Sequence, residues 1–172
     1  MMSKSIIILV VFCLMIASCS DHEDDSSDNS SANNAAVMMP ALNKVGLISI
    51  QQLCQQQAQK KLALKFFASW CLGCQHEHQA VAKLADAMTT VGIAYKNDND
   101  EAISWLATHN YQLSHIGYDR GGYIGSSYGI FGLPETVVIS CQDNSDKITK
   151  VYHKRGILQM EDVAQIHNLI AN

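Results

Sequence analysis

The chain has 172 residues, of which 48% are hydrophobic and 16% charged, and its formal net charge is −4. That length holds one ordinary domain plus a terminal segment. The acidic balance argues against a nucleic-acid-binding face, which calls for clustered Lys and Arg, and no internal repeat is visible.

Lys4 precedes a nearly unbroken apolar run from Ile6 to Ala17. A spanning helix needs about 20 apolar residues, so residues 1–18 read as a cleaved signal peptide, which would carry Cys13 away. Ile16-Ala17-Ser18-Cys19 resembles a bacterial lipobox. That resemblance implies that Cys19 is the lipidated first residue of the mature chain, and it places the protein in the bacterial periplasm on a lipid anchor. Residues 19–40 are acidic and rich in Ser and Asn. They bury too little apolar surface to offset chain entropy, so a disordered linker is expected, with the folded domain over 41–172.

The spacing predicts a helix over Ile50–Lys60 with Ser49 as its N-cap. Leu62–Ala68 is an apolar run of strand length. It feeds into Ser69-Trp70-Cys71-Leu72-Gly73-Cys74, after which Ala80, Val81, Leu84 and Ala87 mark one face of a helix reaching about Thr90. Gly92–Tyr95 reads as a strand, Asn97–Asp100 as a turn and helix start, and Ala102, Ile103, Leu106 and Ala107 as a helix up to His109. Ser114–Tyr118 reads as a strand, Asp119–Gly122 as a turn and Ile124–Tyr128 as a short helix. Thr136–Ser140 and Ile148–Tyr152 read as a hairpin about Asp143-Asn144. Met160–Ile170 closes the chain as a helix. Alternating strands and helices followed by a hairpin suit an α/β fold with a central mixed sheet flanked by helices.

The chemistry centres on Cys71 and Cys74. Two cysteines separated by two residues at a strand-to-helix junction place the first thiol at a helix N-terminus, where unpaired N–H groups and the macrodipole favour the thiolate. Cys71 is the expected attacking nucleophile and Cys74 the resolving thiol, with Trp70 as an aromatic wall beside them. A C-x-x-C can also bind metal. On a continuous helix from Cys71, His78 falls within about 40° of both cysteines and His76 points away, giving three ligands where a closed structural zinc site needs four. A metal-handling module using Cys71, Cys74 and His78 is the reading outside redox chemistry; no metal and no cofactor beyond the redox-active disulfide is expected. Pro134 precedes the β-branched strand. Cys54 and Cys141 read as small buried hydrophobes; a second disulfide between them is open in an oxidising compartment. Trp105 reads as core.

Three separated motifs carry a resemblance: Phe66–His78 around the cysteines, Tyr95–Asp98 with Ala102–Leu106, and Tyr128–Thr136. Together they resemble the DsbE/CcmG family of thioredoxin-like cytochrome c maturation proteins. The resemblance implies a thioredoxin-like fold with a β-α insertion over Gly92–His109. It makes Pro134 a cis-proline beside the reactive pair, with the backbone of Leu133 offered to an extended peptide. It implies a periplasmic protein disulfide oxidoreductase, a reductant of the haem-attachment disulfide of apocytochrome c or of a partner protein, fed by a DsbD- or CcdA-type membrane donor. Glu77 and Glu135 match acidic positions flanking the family's reactive pair, where a carboxylate disfavours a thiolate and can exchange its proton. Leu72-Gly73 departs from the Pro-containing dipeptides common between the family's cysteines. A general envelope reductase or oxidase of the TlpA or ResA kind is the alternative within the class.

Overall fold

The structure, a computed structural model, describes residues 38–41, 47–142 and 147–171. The expected signal peptide, Cys19 and the Asp143-Asn144 turn lie outside the described residues. Met38–Pro40 (β1) and Leu47–Ser49 (β2) form an antiparallel pair, so strand structure begins within the stretch read as linker. Ile50–Gln55 (α1) follows, capped by the Ser49 side chain, which accepts from the Gln52 N–H at 3.2 Å. This helix ends five residues before the expected Lys60. The chain turns there, and Lys60 takes a positive φ of 51°.

Lys61–Phe67 (β3) is the central strand. The expected long helix after it is two: Leu72–Gln75 (α2) and His78–Ala87 (α3). Thr90–Tyr95 (β4), Asn99–His109 (α4), His115–Asp119 (β5) and Tyr123–Ser127 (α5) come next, then Glu135–Cys141 (β6), Ile148–Arg155 (β7) and Met160–Ala171 (α6). The sheet runs β5-β4-β3-β6-β7. The strands β3, β4 and β5 are parallel, while β6 pairs antiparallel with β3 and β7. The expected insertion over Gly92–His109 is present as β4 and α4.

Side chains alternate across a strand, and β3 shows what that does here. Leu62, Leu64 and Phe66 enter one core layer with Ile50 and Cys54 of α1. Ala63 and Phe67 enter the other, which holds Val81 and Leu84 of α3, Trp105 of α4, Ile166 and Ile170 of α6, and both reactive cysteines. Trp105 is core, stacked on Phe67 with ring centroids 5.5 Å apart. Lys65 lies between Ala63 and Phe67, on the face that carries the cysteines, and is fully buried.

Candidate active site

The end of β3 delivers the chain to the site through Ala68-Ser69-Trp70. The N-terminal region of the insertion holds this approach. The Ser69 N–H donates to Asn97 Oδ1 at 2.7 Å, and Asn97 Nδ2 donates to Ser69 Oγ at 2.8 Å. Trp70 Nε1 donates to the Lys96 carbonyl at 3.2 Å. Trp70 is half exposed, so it stands at the rim of the site rather than sealing it.

Cys71 is the N-cap of α2, and its Sγ accepts from the Cys74 N–H at 3.2 Å. The two cysteines are joined in a disulfide with an S–S distance of 2.13 Å. Cys71 keeps 4% of its surface exposed and Cys74 none, so Cys71 is the sulfur a partner reaches first. The break after Gln75 leaves Cys71 at the start of a four-residue helix rather than the long one expected from sequence. A direct N–H contact remains as the local source of thiolate stabilisation.

The break has a visible companion: the Glu77 side chain turns into the core. Glu77 is 1% exposed. Its carboxylate meets Lys65 Nζ at 2.6 Å, accepts from Tyr111 OH at 3.0 Å, and accepts from the Leu158 N–H at 2.8 Å. Lys65 Nζ also donates to Thr136 Oγ1 at 3.1 Å and the Glu135 carbonyl at 3.4 Å. Burial pulls the Lys65 ammonium below the ordinary lysine range, against the opposing pull of the Glu77 and Glu135 carboxylates. Burial, with the Glu77 carboxylate beside it, pushes the Tyr111 hydroxyl up.

Because the helix is interrupted, rotation angles counted from Cys71 do not extend to His78. That ring is exposed and its Nδ1 lies 3.2 Å from the Gln75 carbonyl, whereas Cys74 is fully buried. His76 is also exposed. Among the described residues no group of three His, Cys, Asp or Glu side chains is placed to hold a metal ion.

The Leu133–Pro134 peptide bond is cis. A Cβ added to Gly73 would lie 2.9 Å from Pro134 Cδ, so the proline loop sits directly on the turn between the cysteines. Glu135 fixes the loop from the other side. Its Oε1 accepts from the Phe131 N–H at 3.2 Å and the Gly132 N–H at 3.1 Å. Its Oε2 lies 2.5 Å from His153 Nε2 and 3.9 Å from Arg155 Nε. Leu133 makes no backbone hydrogen bond among the described residues. Trp70 and Leu72, on either side of Cys71, expose 57% and 75% of their surface, and Phe131 in the proline loop exposes 83%.

All five surrounding residues named from the sequence, Trp70, Glu77, Leu133, Pro134 and Glu135, fall on the two segments that meet at Gly73 and Pro134 or on their flanks. Sequence reading missed Lys65, Tyr111 and His153. A lysine inside Leu62-Ala63-Leu64-Lys65-Phe66-Phe67 was the available signal, because a cation in an apolar strand needs a buried partner. Cys54 and Cys141, read as buried hydrophobes, are buried and also bonded, with S–S 2.12 Å and Cα–Cα 6.1 Å.

A sequence profile of the Redoxin family matches residues 32–170. The chain belongs to the Redoxin family. Within it, the chain is homologous to DsbE-type thiol:disulfide interchange proteins. It is 38% identical over 107 residues to thiol:disulfide interchange protein DsbE of Pseudomonas fluorescens biotype C, covering 60% of this chain and 59% of that protein. It is 37% identical over 81 residues to the Escherichia coli K12 protein of the same description, covering 46% and 44%. The chain thus spans about half the length of the curated relatives it matches. A solved structure of a secreted Mycobacterium tuberculosis disulfide oxidoreductase homologous to E. coli DsbE superposes with a TM-score of 0.60 at 20% identity, covering 81% of this chain and 98% of that one. The fold of this Redoxin-family chain is thioredoxin-like, as its motifs implied.

Proposed function

We propose that this Redoxin-family chain is a thiol–disulfide oxidoreductase that acts as a reductant in cytochrome c maturation. The observation that carries the reading is the Cys71–Cys74 disulfide at a helix N-cap with the Leu133–Pro134 loop seated on it. In the reduced protein the Cys71 thiolate attacks a substrate disulfide, forming a mixed disulfide and releasing one substrate thiolate. Cys74, giving its proton to solvent or to a neighbouring base, then attacks Cys71 Sγ. The Cys71–Cys74 bond forms and the second substrate thiolate leaves. Two electrons pass from protein to substrate, and each released thiolate takes up a proton from solvent. No cofactor beyond the cysteine pair is invoked.

The surround suits this chemistry. The free backbone of Leu133 offers strand-like pairing to an extended peptide, and the rim formed by Trp70, Leu72 and Phe131 favours an apolar flank on that peptide. Glu135 holds the loop in place through the Phe131 and Gly132 amides, and Glu77, three residues after Cys74, is ion-paired with Lys65 in the core.

The substrate in this reading is the haem-attachment disulfide of apocytochrome c or of a maturation partner, with a DsbD- or CcdA-type membrane protein supplying electrons. The compartment is the bacterial periplasm, with Cys19 as a lipid anchor. The likeness to DsbE proteins and the three motifs support the substrate and the compartment, and the lipobox-like Ile16–Cys19 supports the anchor.

The test is the redox equilibrium of the full chain against glutathione and dithiothreitol, with Cys71→Ser as control. A potential well below the value of about −120 mV that marks the strong oxidant DsbA is expected. The reduced chain is then expected to prefer an oxidised C-x-x-C-H peptide over an unrelated disulfide. A potential near or above that mark refutes the reductant, and equal rates on both peptides refute the cytochrome c assignment.

A further inference from the structure

We propose that Lys150 and His153 form a clamp on the edge strand β7 that fixes the loop from Tyr128 to Pro134, and that they act as positioning residues for an extended peptide at Leu133 without taking part in the chemistry of the cysteine pair. The peptide part of the inference rests on the oxidoreductase reading; the clamp itself does not.

The register of β7 makes the clamp possible. Residues 150 and 153 are three apart, so in a regular strand their side chains would point to opposite faces of the sheet. A bulge intervenes. Val138 pairs with Tyr152 and Ile139 with Lys150, which leaves Val151 as the extra residue. His153 lies opposite Val137 and Lys150 opposite Ile139, so both join the β6 face that carries Glu135, Val137 and Ile139. Tyr128 and Ile130 of the loop pack in the core layer on that face. The cysteine pair belongs to the other layer, so the clamp reaches it only through the loop.

The loop is held at its start, middle and end. Lys150 Nζ donates to the Tyr128 carbonyl at 3.0 Å. In the middle, Glu135 Oε1 accepts from the Phe131 and Gly132 N–H groups, and Oε2 lies 2.5 Å from His153 Nε2. At the end, the N–H of Gly156, just after β7, donates to the Pro134 carbonyl at 2.9 Å. Lys150 Nζ also lies 3.4 Å from His153 Nδ1. An ammonium donates and cannot accept, so this contact takes the Nδ1 lone pair and leaves the ring proton on Nε2, aimed at Glu135. The side chains act in series: Lys150 orients the imidazole, His153 holds the carboxylate, and the carboxylate holds two loop amides.

The Glu135 and His153 side chains are 4% and 14% exposed. Water therefore replaces a lost donor poorly, and the carboxylate is left short of a partner. Arg155 Nε, 3.9 Å from Oε2 on a side chain 68% exposed, is too loosely placed to stand in. With the clamp intact, the Leu133 backbone is ordered before the peptide arrives. With the clamp cut, binding must order the loop, and affinity falls.

The experiment follows amide hydrogen exchange at Phe131 and Gly132 in the oxidised full chain, and reduction of an oxidised C-x-x-C-H peptide by the reduced chain. Five forms are compared: natural, His153→Ala, His153→Gln, His153→Asn and Lys150→Met. His153→Ala is expected to speed exchange at the two amides about tenfold, the scale of one hydrogen bond to a charged group. Its KM is expected to rise about tenfold with kcat held within about threefold. Gln carries an amide nitrogen as far out as Nε2 and is expected to restore both readouts to within about threefold; Asn ends level with Nδ1 and is expected to restore neither. Lys150→Met is expected to speed the same amides about threefold. Reduction of dithiobis(nitrobenzoate), a disulfide with no peptide backbone, is expected to proceed at the natural rate in every form.

A His153→Ala effect on exchange below about threefold overturns the proposal, as does a loss carried by kcat instead of KM, rescue by Asn equal to that by Gln, or no response to Lys150→Met. A merely structural role would lower the urea midpoint and speed amides throughout the sheet together, which also overturns it. If His153→Ala fails to fold, the Gln and Asn forms decide by the same criteria. The exchange readout involves no substrate. If the natural chain reduces no peptide, the functional reading fails and exchange alone judges the clamp; if exchange does not respond, the clamp fails and the functional reading stands.

Discussion

Removing the second disulfide should cost the domain much of its stability while leaving the redox couple in place. The bond joins Cys54 in α1 to Cys141 at the end of β6, 87 residues apart in sequence. In the chain-entropy description a cross-link reduces denatured-state entropy by about 2.1 + 1.5R ln n cal/mol/K, which for a loop of about 87 residues is about 4.6 kcal/mol at 25 °C. Both cysteines are buried, 0% and 3% exposed, so alanine fills most of the volume and adds only a small cavity cost. Cys54→Ala/Cys141→Ala is therefore expected to unfold in urea with a free energy lower by several kcal/mol. Its m-value should be larger, because the unlinked denatured chain exposes more surface. The potential of the Cys71–Cys74 pair should be unchanged, since the other core layer holds the second disulfide. A loss below about 1 kcal/mol with an unchanged m-value would refute the reasoning. It would mean that the bond does not constrain the denatured chain as its loop length requires.

Three shorter predictions concern the site and its surroundings. Cys74→Ser should accumulate a mixed disulfide through Cys71 with a substrate peptide on non-reducing gels, whereas Cys71→Ser should capture none, because Cys74 has no exposed surface. Gly73→Ala would place a methyl 2.9 Å from Pro134 Cδ. With the loop gripped by Glu135, overpacking of about 1–3 kcal/mol is expected, seen as a lower urea midpoint and slower peptide reduction. The pH dependence of stability should show two limbs from the α6 entry. Burial raises the Asp162 carboxyl, but hydrogen bonds from Lys154, the Gln159 N–H and Tyr152 outweigh it and hold it below the usual range. Its stabilisation is present above pH 3.8 and is lost as pH falls through the lowered folded value. Burial and the bond to Asp162 push the Tyr152 hydroxyl up to about 12 from 10.0, so its stabilisation is present below pH 10 and is lost as pH rises through about 12. Asp162→Asn should flatten the acid limb of the urea-midpoint profile and weaken the alkaline one.

The reactive pair and the succession of elements from α1 onward were legible because each rests on local chain chemistry, and the proline loop because its motif resembles that of a known family. Cys71, Cys74 and Pro134 announce themselves by residue type and position, and Ser49 caps α1 as its hydroxyl predicts. The errors fall where a distant partner overrides local preference. Nothing in Gln75–Glu77 breaks a helix by propensity; the interruption there accompanies the inward turn of Glu77 toward Lys65, Tyr111 and Leu158. With the helix broken, the rotation argument that placed His78 beside the cysteines no longer applies. The early end of α1 at Gln55 is of the same kind: the following turn brings the Lys60 carbonyl to the Cys141 N–H at 2.9 Å, extending the ladder between β3 and β6.

By itself, then, the amino-acid sequence determined the alternation of elements and the chemical identity of the reactive pair, because periodicity, capping and a C-x-x-C spacing act within a few residues, while the thioredoxin-like frame followed from the resemblance of three separated motifs to a known family. Tertiary structure alone decided that Cys54 meets Cys141, that Glu77 is a buried ion-paired carboxylate rather than a solvated one, and that His153 supports Glu135 beside Pro134. Each of these joins residues that are far apart in the chain or on different elements. A charge or a thiol carries no label in sequence that says which partner will lie across the sheet from it.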